Sequence, residues 1–258
     1  SPFGNAISEF QQFLVDFPET EYRREVNEYL ANLYITSKDY TRAMSAIIQT
    51  GMSSMAMREA YQRVAYYRAV EFYHISSWKK AKEFFTKSLT YPQNLTYVAL
   101  AHFWMGELAY KKNDPQEALA RFESFLKTPG SFTLSERPVS LYNKAYCLYR
   151  LNRLDDAAAA FRVFIQDAEE ENKRKNDATL RLADLYFLLG KYSLAEEYYK
   201  TFTAATTHFN YSHASYAEYQ RSLCLGLLNR YKEKIGILKT LSKRETRSDA
   251  FGGKYSVE

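Results

Sequence analysis

Two periods run through the chain at once. Over short windows, apolar residues recur at i, i+3, i+4 and i+7, the spacing of one helix face. Tyr192, Ala195, Tyr199 and Phe202 are one instance. Over longer distances the same pattern returns, in "NAISEFQQF" (5–13), "SKDYTRAMSAII" (37–48), "SSWKKAKEFF" (76–85), "NDPQEALARFESF" (113–125), "NRLDDAAAAFRVF" (152–164) and "LLGKYSLAEEYYKTF" (188–202). Aligned on a central small residue, these give Ala6, Ala43, Ala81, Ala118, Ala157 and Ala195, at spacings of 37, 38, 37, 39 and 38. A weaker seventh copy puts Lys234 at that position.

A second small residue stands twelve positions before the first: Ala31, Ala69, Gly106, Ala145, Ala183 and Ser222. A large apolar residue stands four positions after it: Phe10, Ile47, Phe85, Phe122, Phe161, Tyr199 and Leu238. The pattern predicts a helical hairpin, helix A then helix B, repeated into a solenoid. Small residues let the two helices approach closely at their crossing. The large residue, one turn along the same face, fills the space between hairpins. Turn chemistry agrees with these limits. Asp114-Pro115 supplies an N-cap and a first-turn proline. Gly190 can end a helix in the left-handed region. Pro18, Pro92 and Pro129 fall near the ends of B helices, where a residue without an N–H stops the helix.

The small–twelve–small–four–aromatic pattern with a terminal proline resembles the tetratricopeptide repeat, TPR, over nearly the whole chain. The resemblance implies an all-α, right-handed superhelical solenoid of antiparallel helix hairpins. It would occupy 1–258 as one array: a half repeat at 1–18, repeats at about 22–55, 58–92, 97–129, 138–168, 176–206 and 213–243, and a tail at 244–258. Two features depart from the consensus. The period is 37–39 rather than 34, and Phe13, Phe125, Phe164 and Phe202 occupy a position that is usually small. That "F-x-x-F" or "Y-x-x-F" signature and the linker "DFPETEY" (16–22) are similar to TPR proteins of the bacterial cell envelope, of the outer-membrane-assembly lipoprotein and Tol-Pal coordinator types. This implies a periplasmic or outer-membrane-associated setting, with a cytoplasmic one as the alternative.

Ala6 belongs to a B helix whose A helix would precede residue 1, and residues 231–243 form the last B helix. The chain therefore reads as a fragment of a longer array. Helix 5–16 is expected to expose Phe10, Phe13 and Leu14, which would allow self-association through uncapped ends.

Composition narrows the functional classes. The 258 residues are 46% hydrophobic and 16% aromatic, with 23 Tyr and 17 Phe, which suits large half-buried surfaces. Nine Gly and six Pro leave little material for the turns of a sandwich or barrel. The net charge of +5 is interleaved, so no nucleic-acid partner is expected, and no apolar run is long enough for a membrane span. The acidic-then-basic run 167–176 and the basic stretch 232–247 read as solvated segments. His208 and His213, with four residues between them in a linker, lack further ligands for a metal. Cys147 and Cys224 lie two repeats apart, too distant for a disulfide, and two unpaired thiols count against an oxidising compartment. No nucleophile motif or phosphate loop appears. The expectation is a non-enzymatic protein without cofactor or metal.

In TPR arrays, helix A lines a concave face. Carried onto this sequence, the groove positions are Arg63, Tyr66, Tyr73 and His74; Phe103, Glu107, Tyr110 and Lys111; Tyr142, Tyr146, Tyr149 and Arg150; Asp184 and Phe187; and Tyr216 and Tyr219. Such an aromatic lining suits an extended peptide or a partner domain. The Lys/Asn clamp that chaperone adaptors use for a C-terminal carboxylate is not matched: Asn32 fits one position, but Glu25 and Glu28 replace its basic partners. The expected function is a protein–protein interaction scaffold in a bacterial envelope assembly. The alternative is a cytoplasmic adaptor or regulatory module whose effector domain lies outside this segment.

Overall fold

The computed structural model describes residues 4–52, 54–167, 173–205 and 211–249. Half of the charged run 167–176, His208 with the first part of its linker, and the last nine residues lie outside them. All regular structure among the described residues is helical. Contacts divide the chain into two compact units, Ser1–Ser140 and Leu141–Glu258.

The first unit holds α1 (Gly4–Asp16), α2 (Arg23–Thr36), α3 (Tyr40–Gln49), α4 (Met55–His74), α5 (Trp78–Ser88), α6 (Leu95–Lys111), α7 (Pro115–Lys127) and a short 3-10 turn at Pro129–Ser131. Each helix packs on the next, and α4 also touches α6, as A helices of successive hairpins do. The second unit holds most of α8 (Arg137–Arg150), then α9 (Leu154–Asp167), α10 (Lys173–Leu188), α11 (Tyr192–Ala205), α12 (Tyr211–Leu227) and α13 (Tyr231–Asp249). There, α9 through α13 pack each on its successor.

The small residues sit where the helices cross. Ala31, Ala69, Ala145, Ala183 and Ser222 have no exposed surface, and neither do Ala43, Ala81, Ala118, Ala157 and Ala195. At Gly106 the approach is tighter still: a Cβ there would lie 2.8 Å from the Phe122 ring. The large residues at the next turn, Ile47, Phe85, Phe122, Phe161 and Tyr199, are buried with them, as are Phe125, Phe164 and Phe202. Side chains this large and fully enclosed contribute ~1.5–3 kcal/mol each.

Every A–B turn carries one residue in the left-handed region, five positions before the central small residue: Lys38, Ser76, Asn113, Asn152, Gly190 and Asn229, with φ between 57° and 71°. The next residue then closes the turn. Asp39, Ser77, Asp114, Arg153, Lys191 and Arg230 donate N–H to the carbonyls of Tyr34, Phe72, Ala109, Leu148, Tyr186 and Leu225. This is the Schellman closure, which satisfies the last carbonyls of helix A. Asp39 and Asp114 then cap the following helix, accepting from the Arg42 and Glu117 amides.

Two expectations are corrected. Phe10, Phe13 and Leu14 are half-buried rather than exposed, because α1 rolls them onto the core of α2 and α3; Phe10 stacks on Tyr29 with ring centres 5.6 Å apart. Val15 (71% exposed) and Phe17 (57%) face solvent instead. At the other end α13 runs on to Asp249, past residue 243, through a segment with no Gly or Pro to stop it.

Candidate functional site

The expected groove residues fall in both units, eight of them in the first and eight in the second. In the first unit an aromatic cluster spans α3, α4 and α6. Tyr66 is buried and its hydroxyl accepts from Trp104 Nε1 at 3.1 Å. Burial pushes the Tyr66 phenol up to about 12, against the opposing pull of that bond. Its ring lies 5.2 Å from Tyr97 and tilts against it. Tyr40 stacks on Tyr67 at 5.4 Å. The Tyr67 and Tyr97 hydroxyls share a hydrogen bond of 3.3 Å. Tyr73, half-buried, packs on Trp104 at 4.7 Å, and the Lys111 ammonium sits 4.6 Å above the Tyr73 ring in cation–π geometry. Glu107 and Tyr110 are half-buried and His74 is exposed.

Phe103 differs from its neighbours. It is buried against Phe122 and Phe125, at 6.4 and 5.8 Å, and belongs to the core between α6 and α7 rather than to an open face. Arg63 is half-buried on α4.

In the second unit the expected groove residues meet two carboxylates. Tyr142 donates to Asp177 Oδ2 at 2.6 Å, and Tyr146 donates to the same oxygen. Arg181 bridges onward, 3.7 Å from Asp177 and 3.1 Å from Asp184. Asp184 Oδ1 accepts from Tyr199 at 2.7 Å and from Tyr216 at 3.0 Å. A polar ladder thus ties α8, α10, α11 and α12 together. Burial, reinforced by the Asp177 bond, pushes Tyr146 up to about 12 and Tyr142 further in the same direction. Burial also raises Asp184, opposed by the bonds from Tyr199 and Tyr216. The hydroxyls of Tyr142, Tyr146 and Tyr216 therefore serve the fold first. Tyr149, Arg150, Tyr216 and Tyr219 remain exposed, and Phe187 is half-buried.

Sequence reasoning missed Tyr40, Tyr67, Tyr97 and Trp104 in the first unit, and Asp177 and Arg181 in the second. The i, i+4, i+7 spacing of Asp177, Arg181 and Asp184 places all three on one face of α10 and was the available signal.

Two clefts lie elsewhere. One of ≈ 470 Å³ is lined by Glu9, Phe10, Phe13, Tyr22, Glu25, Val26 and Tyr29, at α1 and α2. Another of ≈ 330 Å³ lies between α12 and α13. Among the described residues no three His, Cys, Asp or Glu side chains converge as a metal site, and no helix is long and apolar enough to cross a membrane.

Antiparallel hairpins with small residues at the crossings and a common closing turn define a helical-hairpin repeat protein. Residues 103–172 match the family model described as tetratricopeptide repeat, as the small and aromatic positions led one to expect. No curated protein matches the chain by sequence. Among solved structures the chain is similar to MamA, with a TM-score of 0.56 at 15% identity over 76% of this chain and 98% of that one. It is also similar to BtubC (BKLC) from P. vanneervenii, at 0.51 and 12%, covering 86% and 93%. A third likeness is to the nearly identical TPR-like repeats of a Podosopora anserina putative kinesin light chain, at 0.51 and 13%, covering 74% and 97%. At these identities the likeness is one of fold.

Proposed function

We propose that the protein is a non-enzymatic interaction scaffold that holds a peptide segment or partner domain against the tyrosine-rich faces of its A helices, in a bacterial envelope assembly. The observation that carries this is the cluster of Tyr40, Tyr67, Tyr73, Tyr97 and Trp104. These rings pack on one another, yet each keeps part of its surface open to water. Half-exposed, mutually braced aromatics offer a large contact area at a low entropic cost of ordering. The envelope setting rests on the "F-x-x-F" and "DFPETEY" features of the sequence.

Arg63, Tyr66, Tyr73, Glu107, Tyr110 and Lys111 belong to this proposed face, with Tyr66 bracing it from below. Tyr149, Arg150, Tyr216 and Tyr219 offer the corresponding surface of the second unit. Tyr142 and Tyr146 shape that surface through Asp177. Self-association through the α1 end is a further mode, now assigned to Val15 and Phe17.

A second reading, a cytoplasmic adaptor, is favoured by one observation: Cys147 and Cys224 are buried and neither is in a disulfide, as a reducing compartment allows.

The test is a pull-down from envelope and cytosolic extracts with wild type and Tyr67→Ala/Tyr73→Ala, both checked by circular dichroism. Both tyrosines are partly exposed, and the circular dichroism shows whether the helices survive the change. A partner held by wild type and lost by the still-helical variant supports the proposal, and the extract of origin decides between the two settings. A partner held equally by both proteins removes it.

A further inference from the structure

Half-buried arginines of this chain find acceptors. Arg68 meets Glu71 at 2.7 Å, Arg181 meets Asp184 at 3.1 Å and Arg221 meets Glu196 at 2.7 Å, while Arg23 and Arg58 donate to the carbonyls of Pro18 and Met52, each at 3.1 Å. Arg63 is different. Its Nε is shut off from solvent with no acceptor, and among the described residues no hydrogen bond or ion pair engages its guanidinium. Arg137 also has an unmatched nitrogen, but its guanidinium rests 5.2 Å over the Phe132 ring. The guanidinium, on a side chain that is half-buried overall, thus has bonding capacity that the fold leaves unused.

The surroundings specify a ligand for it. Arg63 stands one turn before Tyr67 on α4, on the same helix face, and its charge acts on the phenols of Tyr40 and Tyr97. Tyr67 bonds to Tyr97 and stacks on Tyr40, and at 38% exposure it opens the cluster to solvent. The carboxylate that Tyr40 senses, Glu71, is already held by Arg68. The site thus presents a planar guanidinium fork beside phenolic hydroxyls, with one positive charge and aromatic walls. A fork of this kind matches a carboxylate in two-point geometry.

We propose that Arg63, with the hydroxyls of Tyr67 and Tyr97, anchors the carboxylate of an Asp or Glu side chain within the bound peptide, the flanking residues of that peptide lying on Tyr40 and Tyr67. This rests on the scaffold reading and names its ligand class. It differs from capture of a chain terminus, because aromatic rings flank the arginine and favour a segment that continues on either side.

The test is selection of a random twelve-residue peptide library, displayed with its C-terminus fused so that only side-chain carboxylates are offered. Wild type is expected to enrich peptides carrying one fixed Asp or Glu with neighbouring aromatic or apolar residues. A synthetic C-terminally amidated copy is then measured by fluorescence anisotropy. Arg63→Gln, or the matching Asp→Asn or Glu→Gln change in the peptide, is expected to weaken binding about 10- to 100-fold, and the two changes together little more than either alone. Arg63→Lys should fall between. Since Arg63 makes no internal polar contact, Arg63→Gln should keep the wild-type circular dichroism and a urea midpoint no lower than that of wild type. Enriched peptides without a fixed acid, or equal affinity of Arg63→Gln for the acidic peptide, overturn the anchor while leaving the scaffold reading intact. Failure of wild type to enrich any peptide overturns both.

Discussion

Gln62 does more for the fold than its side-chain class would indicate. It has no exposed surface, and its amide grips the backbone of Asn94 at both ends: Nε2 donates to the Asn94 carbonyl at 3.0 Å and Oε1 accepts from the Asn94 N–H at 2.8 Å. The hydroxyl of Ser88 donates in turn to the Gln62 carbonyl at 2.9 Å. Asn94 caps α6 through Thr96, so α4 fixes the place where the next A helix begins. Gln62→Leu keeps the volume and strands two backbone groups. It should lower stability by about 2–3 kcal/mol, read as a fall in the urea midpoint. A change near zero would mean that water takes over the bonds. Nothing in the sequence singled out Gln62, because its partner is main chain 32 residues away. Asp177 could be placed on one face of α10 with Arg181 and Asp184, but its phenol partners could not, coming from 31 and 35 residues upstream.

The A–B turn is the element that recurs most faithfully. Four of its six left-handed positions hold Asn or Gly, residues that tolerate a positive φ, while Lys38 and Ser76 hold it against their preference. Ser76→Gly should therefore raise stability by about 0.5–1 kcal/mol, the relief of strain slightly exceeding the entropy glycine adds to the unfolded chain. Gly190→Ala should lower it by about 1 kcal/mol. Thermal melts of both variants check the pair, and equal shifts of one sign would contradict the turn geometry. The same comparison shows what was readable beforehand. Helix pairing and core residues could be read from the alanines and phenylalanines, because close approach admits only small side chains, as the Gly106–Phe122 distance illustrates. The common turn could not be read at Lys38 or Ser76, since backbone hydrogen bonds impose it whatever the side chain. Of the candidate site, Tyr73 and Lys111 could be placed from helix register. Tyr66 and Phe103 were placed on the right helices, but register alone does not reveal how deeply neighbouring rings bury them.

Across the whole molecule the phenols set an alkaline limit. Burial pushes Tyr66 and Tyr146 to about 12, and Tyr97, Tyr142 and Tyr199 upward as well, from an ordinary value of 10.0. A raised phenol favours the fold while it stays protonated. Its contribution is complete below pH 10 and is lost as the pH climbs through the folded-state values. The protein should therefore hold its helicity to about pH 10 and lose it between about 10 and 12, with late phenolate absorbance rising as the helix signal falls. Tyrosines that all ionise near pH 10 with helicity intact would contradict the buried network. The two units also differ in which optical and chemical labels they carry. Both tryptophans, Trp78 and Trp104, lie in the first, and both cysteines, Cys147 and Cys224, lie buried in the second. Indole fluorescence and thiol reactivity thus observe different halves of one chain, so a single unlabelled sample can reveal which half opens first.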